Sequence, residues 1–331
     1  MHLKPFIYYR PASLREVFEI IQTCTPGQFT FMGGGTDILL KIKQRLISPI
    51  KIISLRGVPE LKKIERQGRF ISIGALASLR QVKESALIQQ FFPALVQATG
   101  RIGSPQLRNM GTIGGNVCLD TRCVYYNQQS WEGAFEPCFK RGGKRCHVVK
   151  KGKRCYALFC ADTPAVLLAL GARLHIAGPA GEREVPIAEF YQDDGLCCHR
   201  LHADELLMNI TIPIEQNRVS LYSRFSMRGA IDFPMVGVAV TLQGSDNGHL
   251  INPKIAATGL QSKPLRLHTL EQLLAGKDTN IGEMEKLIKE GIKEIVIARS
   301  KGVSSNYRRN LLKFLIERAL GESILKAEKM K

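Results

Sequence analysis

"FMGGGTDILL", residues 31–40, sets Gly33, Gly34 and Gly35 between a β-type run, "QFTFM" (28–32), and a helix start that continues through "KIKQ" to residue 44. Glycines at a strand-to-helix turn let backbone N–H groups face an anion and approach it closely. Thr36 adds a hydroxyl, and the helix N-terminus adds partial positive charge. The spacing is neither GxGxxG nor GxxxxGK[ST], so neither the Rossmann fingerprint nor a P-loop applies. Taken alone, the run fits an empty tight turn equally well. A second stretch, "RNMGTIGGN" (108–116), places Gly111, Gly114 and Gly115 beside Thr112 and Asn116. Two such loops suit a dinucleotide, which has a diphosphate to hold and a sugar or ribityl chain to orient, better than a single phosphate.

Around these loops the periodicity predicts mixed secondary structure. Leu14, Val17, Ile20 and Ile21 recur at helical spacing behind Ser13, a capping candidate. "KIISLRG" (51–57) is extended, so strand, glycine turn, helix and strand follow in the order of a small α/β unit with parallel strands. "RFISIGALASLRQV" (69–82) gives strand, turn and helix, "DTPAVLLALGARLHIAG" (162–178) helix then strand, and "GEREVPIAEFY" and "LLMNITIPI" extended segments. From about residue 218 the pattern changes to alternating strands, in "VSLYSRFSMRGAIDFPMVGVAVTL" and "INPKIAATGL". Amphipathic helices follow in "TLEQLLAG", "MEKLIKEGIKEIV" and "YRRNLLKFLIERAL", and "KAEKMK" is expected to fray. The expected class is α+β, with domains at 1–216 and 217–331 and an antiparallel sheet with helices in the second.

With 331 residues, 44% of them hydrophobic and 23% charged, the chain can bury more than one core. The first residues lack an apolar signal core, and the most apolar region is broken by Asp162, Pro164 and Arg173, so no membrane association and a cytoplasmic location are expected. A net charge of +18 suits nucleic acid, but no nucleic-acid motif accompanies it and aromatics are 7%. A docking face for an acidic protein or an anionic ligand fits equally well, so charge alone does not decide, and no nucleic-acid partner is expected.

The cysteines set the second problem. Six of the nine, Cys118, Cys123, Cys138, Cys146, Cys155 and Cys160, fall within residues 117–160, among nine Lys/Arg and three carboxylates, a net of +6. An odd cysteine count argues against a disulfide framework, and a stretch this poor in core residues needs an anchor. Cys123, Cys138, Cys146 and Cys155 are separated by 14, 7 and 8 residues, without the CxxC pairs of zinc ribbons and bacterial ferredoxins. The residues alone leave a Cys₄ zinc site, a [4Fe–4S] cluster and free thiols open. His147 reads as solvated or supporting, and Cys197–Cys198–His199 as partly buried thiols in a turn.

Taken in order, "GGGTDILLKIK", "ISIGALASL", "RNMGTIGGN" and "ADTPAVLLALGA" resemble the FAD-binding subunit of the xanthine dehydrogenase family of molybdenum hydroxylases, and the likeness continues through "YSRFSMRGAIDFPMVGVAV", "GLQSKPLRLHTLEQLLAG" and "YRRNLLKFLIERAL". The resemblance implies a two-part FAD domain of the vanillyl-alcohol-oxidase-like type, with a small α/β unit and a mixed α+β unit, followed by a domain of the CO dehydrogenase flavoprotein type. By motif position it implies FAD contacts from Met32, Gly33, Gly34, Gly35, Thr36 and Asp37, from Thr112, Gly114, Gly115 and Asn116, from Asp162, and from Arg224 and Arg228; the Arg pair also fits a solvated strand edge. In ordinary members the second glycine turn runs almost directly into the "AD" helix, so 117–160 is an insert. "CLDTRCVYYNQ" with the cysteines after it resembles the flavoprotein subunit of 4-hydroxybenzoyl-CoA reductases. That likeness implies a [4Fe–4S] cluster on Cys123, Cys138, Cys146 and Cys155, with Cys118 and Cys160 as the spare pair. It also implies electron entry from reduced ferredoxin, reductive dehydroxylation of an aromatic acyl-CoA, and partner subunits carrying molybdopterin and [2Fe–2S] clusters, assembled as a dimer of heterotrimers. No residue of this chain is expected to do bond chemistry on the organic substrate. An ordinary xanthine or nicotinate-type dehydrogenase subunit with a zinc-bearing or metal-free insert is the competing expectation.

Overall fold

A computed structural model describes residues 3–25, 27–127, 136–149, 151–243, 250–277, 281–298 and 302–329. The chain begins with strand β1 (Ile7–Tyr9), helix α1 (Leu14–Gln22), strand β2 (Phe29–Met32), helix α2 (Ile38–Lys43) and strand β3 (Lys51–Ser54). The strands form a parallel sheet in the order β1-β3-β2. Ser13 caps α1 by accepting the Glu16 N–H at 3.2 Å, and Val17 and Ile21 face the sheet. The run from β2 through the glycines into α2 is thus the crossover that parallel strands require.

A second layer holds β4 (Ile64–Gln67), β5 (Phe70–Gly74) and the helices α3 (Leu79–Glu84), α4 (Ala86–Phe91), α5 (Pro93–Arg101), α6 (Pro105–Met110), α7 (Ile113–Val117), α8 (Val124–Asn127) and α9 (Thr163–Leu170), then β6 (Arg173–Gly178), β7 (Gly181–Pro186), the short helix α10 (Ile187–Phe190) and β8 (Leu206–Pro213). Its sheet is antiparallel in the order β4-β5-β8-β6-β7. Every residue of α9, "TPAVLLAL", is buried. The reason is its position: its core cluster includes Ile73, Leu174 and Ile210 on this sheet, and Tyr222, Ala239 and Ala256 on the next one. A helix covered on all sides has no need of a polar face.

The third part is an antiparallel sheet of β9 (Arg218–Phe225), β10 (Val236–Gln243), β11 (Ile251–Thr258) and β12 (Leu265–Arg266), in the order β12-β11-β10-β9. Helices α11 (His268–Leu274), α12 (Ile281–Gly291) and α13 (Ser305–Glu328) cover it, with Leu270, Ile288, Leu312, Ile316 and Leu320 closing on Val238, Val240 and Ile255. The α+β class, with an antiparallel C-terminal sheet and helices, follows from this layering.

Two elements differ from expectation. "IAEF" turns as α10 where an extended run was expected. Helix α13 continues to Glu328 because Ile324 and Ala327 are buried against the sheet, so only the last residues of the expected frayed tail lie beyond it, with Met330 and Lys331 outside the described residues. No helix among the described residues is long and apolar enough to cross a membrane.

Candidate cofactor sites

The two glycine loops meet backbone to backbone. A Cβ on Gly34 would fall onto the carbonyl oxygen of Met110, and one on Gly33 would lie 3.1 Å from Thr112 Oγ1. Gly114 has the same constraint, its hypothetical Cβ being 2.7 Å from both the Cβ and the carbonyl oxygen of Ala75. Gly35 adopts φ +77°, the left-handed region that glycine enters without penalty. The sequence is therefore glycine here so that a strand end and a helix start can close on one another. Thr112 caps α7 by accepting the Gly115 N–H at 3.1 Å.

Other candidate flavin residues stand behind this junction. Asn116 is buried, and its Oδ1 accepts from the Thr163 N–H at 3.1 Å and from the Thr163 hydroxyl at 2.7 Å, which fixes the start of α9. Asp162 accepts from Arg224 Nη1 at 2.9 and 3.1 Å and from the Tyr222 hydroxyl at 2.8 Å. Both side chains of the Asp162–Arg224 pair are 4% exposed, so the pair locks the second layer to β9. Arg228 is 70% exposed and donates to the Ile231 carbonyl at 2.8 Å, on the loop between β9 and β10. Met32 packs with Ile42 and Ile52 beneath the first loop. Asp37 pairs with Arg122, the residue before Cys123. Gly33–Thr36 and Thr112–Gly115 are therefore brought together, Asn116, Asp162 and Arg224 support them from the core, and Arg228 lies on the surface. The glycines of both loops serve this close backbone contact, and the Gly114 and Gly115 N–H groups already donate to the Ala75 carbonyl and the Thr112 hydroxyl, so the backbone of the first loop is the part that fits a diphosphate.

Of the six insert cysteines, Cys123, Cys138, Cys146 and Cys155 line one narrow hollow that is partly open to solvent. Cys118 lies outside it beside Cys198, and Cys160 packs with Leu158 and Ala298. Burial raises the Cys123 thiol to about 11 and pushes Cys155 upward as well. Among the described residues no three of His, Cys, Asp and Glu gather around a single ion. The four thiols are instead spread over the walls of the hollow. His147 also lines it, with Nε2 2.6 Å from the Glu136 carbonyl oxygen and its ring 5.2 Å from that of Tyr125. Glu132 and Lys150, counted in the insert's charge, lie outside the described residues.

The turn that holds Cys197–Cys198–His199 belongs to a loop, residues 191–199, "YQDDGLCCH", whose part in carrying this insert sequence reasoning missed. Asp193 pairs with Arg154 at 2.5 Å, and Asp194 Oδ1 accepts from the Cys155 N–H at 3.3 Å. The Gly195 N–H donates to the Cys155 carbonyl at 2.9 Å, while its own carbonyl accepts from Lys140 Nζ at 2.5 Å and the Thr121 hydroxyl at 2.8 Å. A Cβ at Gly195 would stand 2.8 Å from Cys155 Sγ. The consecutive aspartates opposite a basic insert are the signal that could have revealed this loop. Cys197 is exposed, Cys198 is buried, and His199 stacks on Phe190 with ring centroids 5.4 Å apart, so this trio forms no site with the insert.

A polar strut joins the two candidate sites. Asp120 accepts from Lys41 Nζ on α2 at 2.8 Å and from Lys140 Nζ in the insert at 2.5 Å. Burial pushes the Asp120 carboxyl up, but the Lys140 and Lys41 ammonium groups outweigh it and hold the group below its ordinary value.

The chain matches two family profiles, "FAD binding domain in molybdopterin dehydrogenase" over residues 4–215 and "CO dehydrogenase flavoprotein C-terminal domain" over residues 222–323. It is 24% identical over 323 residues to the xanthine dehydrogenase FAD-binding subunit of Escherichia coli O157:H7, covering 97% of this chain and 96% of that one. It is 25% identical over 325 residues to the glyceraldehyde dehydrogenase medium chain of Sulfolobus acidocaldarius, covering 97% and 99%. Among solved structures, carbon monoxide dehydrogenase from Hydrogenophaga pseudoflava superposes with a TM-score of 0.81 at 23% identity, covering 99% of both chains. Quinoline 2-oxidoreductase from Pseudomonas putida 86 superposes with a TM-score of 0.80 at 21% identity, again over 99% of both chains. These likenesses establish the fold, and with the profile that spans the two glycine loops and the insert, the chain belongs to the family of FAD-binding domains found in molybdopterin dehydrogenases.

Proposed function

We propose that this chain is the electron-transfer subunit of a molybdenum hydroxylase-family oxidoreductase, with FAD between loops 33–37 and 112–116 and a [4Fe–4S] cluster on Cys123, Cys138, Cys146 and Cys155. The FAD half is supported by the family profile and by the glycine cradle. The single observation that carries the cluster half is the hollow, whose lining includes these four thiols and neither Cys118 nor Cys160. Flavin exchanges one or two electrons and a cluster exchanges one, so the pair suits a path between a one-electron carrier and a two-electron reaction. Within that path, this chain's residues bind and orient. The glycine loops hold the dinucleotide, the 191–199 loop fixes Cys155, and the four cysteines give up their thiol protons on ligating metal.

The relatives' names, "FAD-binding subunit" and "medium chain", support partner subunits. In this reading a large subunit holds molybdopterin and a small one [2Fe–2S] clusters, in a dimer of heterotrimers. The insert's excess of cations favours reduced ferredoxin, an acidic carrier, as the electron source. The substrate is then an aromatic acyl-CoA such as 4-hydroxybenzoyl-CoA, reduced on the molybdenum subunit.

Anaerobic purification followed by flavin, iron, sulfide and zinc analysis, with EPR after dithionite reduction, tests this reading. One FAD with about four irons and four sulfides and a reduced-cluster signal is expected. One FAD with one zinc, or with no metal, would instead leave a dehydrogenase-type flavoprotein and remove the insert from electron entry.

A further inference from the structure

The Lys140 side chain is 6% exposed, yet the residue lines the thiol hollow, two residues beyond Cys138, and its charge acts on the Cys155 thiol. Its ammonium donates to Asp120 Oδ1 at 2.5 Å, to the Thr121 hydroxyl at 2.6 Å and to the Gly195 carbonyl at 2.5 Å, and it lies 5.0 Å from the centre of the Tyr126 ring. All three of its donor positions are thus matched to acceptors, and one of these, Asp120, is shared with Lys41 on the helix that leaves the first glycine loop. The other insert cations in ion pairs are more exposed, Arg122 among them at 16%. Arg145, paired with Glu136, is 58% exposed, and Arg154, paired with Asp193, is 31% exposed. A charge this far from water is weakly screened, and it acts on whatever occupies the space beside it. Burying an ammonium is costly unless it is fully hydrogen-bonded, so a solubilising role would not select this position.

We propose that Lys140 is the charge-setting residue of the insert, held against the thiol hollow by Asp120 so that its ammonium raises the reduction potential of the group bound there. The inference rests on the [4Fe–4S] reading of that hollow. A thiolate-ligated cluster gains negative charge on reduction, so a fixed cation beside it favours the reduced state, and a fixed anion disfavours it. Lys140 and Asp120 therefore act with opposite sign. Through Lys41, the same carboxylate ties the insert to the flavin loop, so the cation is positioned relative to both sites at once.

The test is an EPR-monitored potentiometric titration of the anaerobically purified full chain, with iron and flavin contents measured in parallel, for the wild type, Lys140→Met, Lys140→Arg and Asp120→Asn. The expected result for Lys140→Met is a cluster potential lower by about 59 mV or more, a tenfold change in a one-electron equilibrium. Lys140→Arg keeps the charge and stays near the wild type, and Asp120→Asn moves upward. Unmoved potentials, shifts of the same sign in Lys140→Met and Asp120→Asn, or a Lys140→Arg value as low as that of Lys140→Met would overturn the proposal. Where Lys140→Met loses its iron, Lys140→Arg and Asp120→Asn still carry the sign test. A wild type without iron would remove the cluster reading and this inference together, whereas a wild type with iron and unshifted variants removes the inference alone.

Discussion

Arg122 and Asp37 are joined by an ion pair across 85 positions of sequence, so the residue preceding Cys123 is fastened to the residue that ends the first glycine loop. Arg122 also lies over the Phe233 ring, 4.9 Å from its centre, on the loop between β9 and β10. One guanidinium therefore holds together the flavin cradle, the insert and the C-terminal domain. The Arg122→Ala variant is expected to lose about 1–3 kcal/mol of stability, because a partly buried carboxylate loses its charged donor. Urea unfolding measures the loss, and the same preparations should show weakened FAD retention on desalting.

Gly34→Ala places a methyl group where the Met110 carbonyl oxygen already sits. The two loops must separate, and the flavin-to-protein absorbance ratio is expected to fall several-fold. Gly100→Ala, on α5, is the control, since its Cβ would meet nothing nearer than Lys83 Cε at 3.6 Å. It is expected to keep full flavin and to gain up to about 1 kcal/mol from helix propensity. Equal flavin loss in both variants would contradict this account of the cradle.

At Gly195 the expected consequence falls on the other site. A Cβ 2.8 Å from Cys155 Sγ and 2.9 Å from the Ala157 nitrogen forces that segment away from the hollow. Under the cluster assignment proposed above, Gly195→Ala should lose most of the iron while keeping FAD. Paired iron and flavin assays decide it; normal iron would mean that the 191–199 loop does not fix Cys155.

Removing Asp162 leaves the Arg224 guanidinium and the Tyr222 hydroxyl buried without their acceptor. Asp162→Ala is expected to cost about 3–5 kcal/mol, the usual scale for breaking one side of a buried ion pair. The double variant Asp162→Ala/Arg224→Met should recover part of that loss, so a denaturation cycle with the two single variants reads the coupling directly.

Asp120 supplies a pH test. Its folded value lies below its unfolded value because the Lys140 and Lys41 ammonium groups outweigh burial. The stabilisation is present above the unfolded value, about 3.9, and disappears as pH falls through the folded value. Urea midpoints of the wild type should therefore fall more steeply below about pH 4 than those of Asp120→Asn. Parallel curves for the two proteins would show that the strut contributes nothing.

Local chemistry alone determined a good deal of this protein. The glycine runs announced close backbone approach, and the parallel βαβ start followed from alternating periodicities around Gly33–Gly35. The apolar run "TPAVLLAL" announced a helix, and the thiols crowded among cations in a stretch poor in core residues announced a segment in need of an anchor. Turn chemistry and hydrophobic period act over a few residues, so they are written in the sequence. Tertiary structure alone decided the pairings. It set Asp162 against Arg224 across 62 positions, Asp120 against Lys41 across 79, and Gly195 against Cys155, and it gathered four thiols of six into one hollow. Those contacts depend on how three layers stack and on where long connections return, and no local pattern encodes a charge whose partner arrives on another layer.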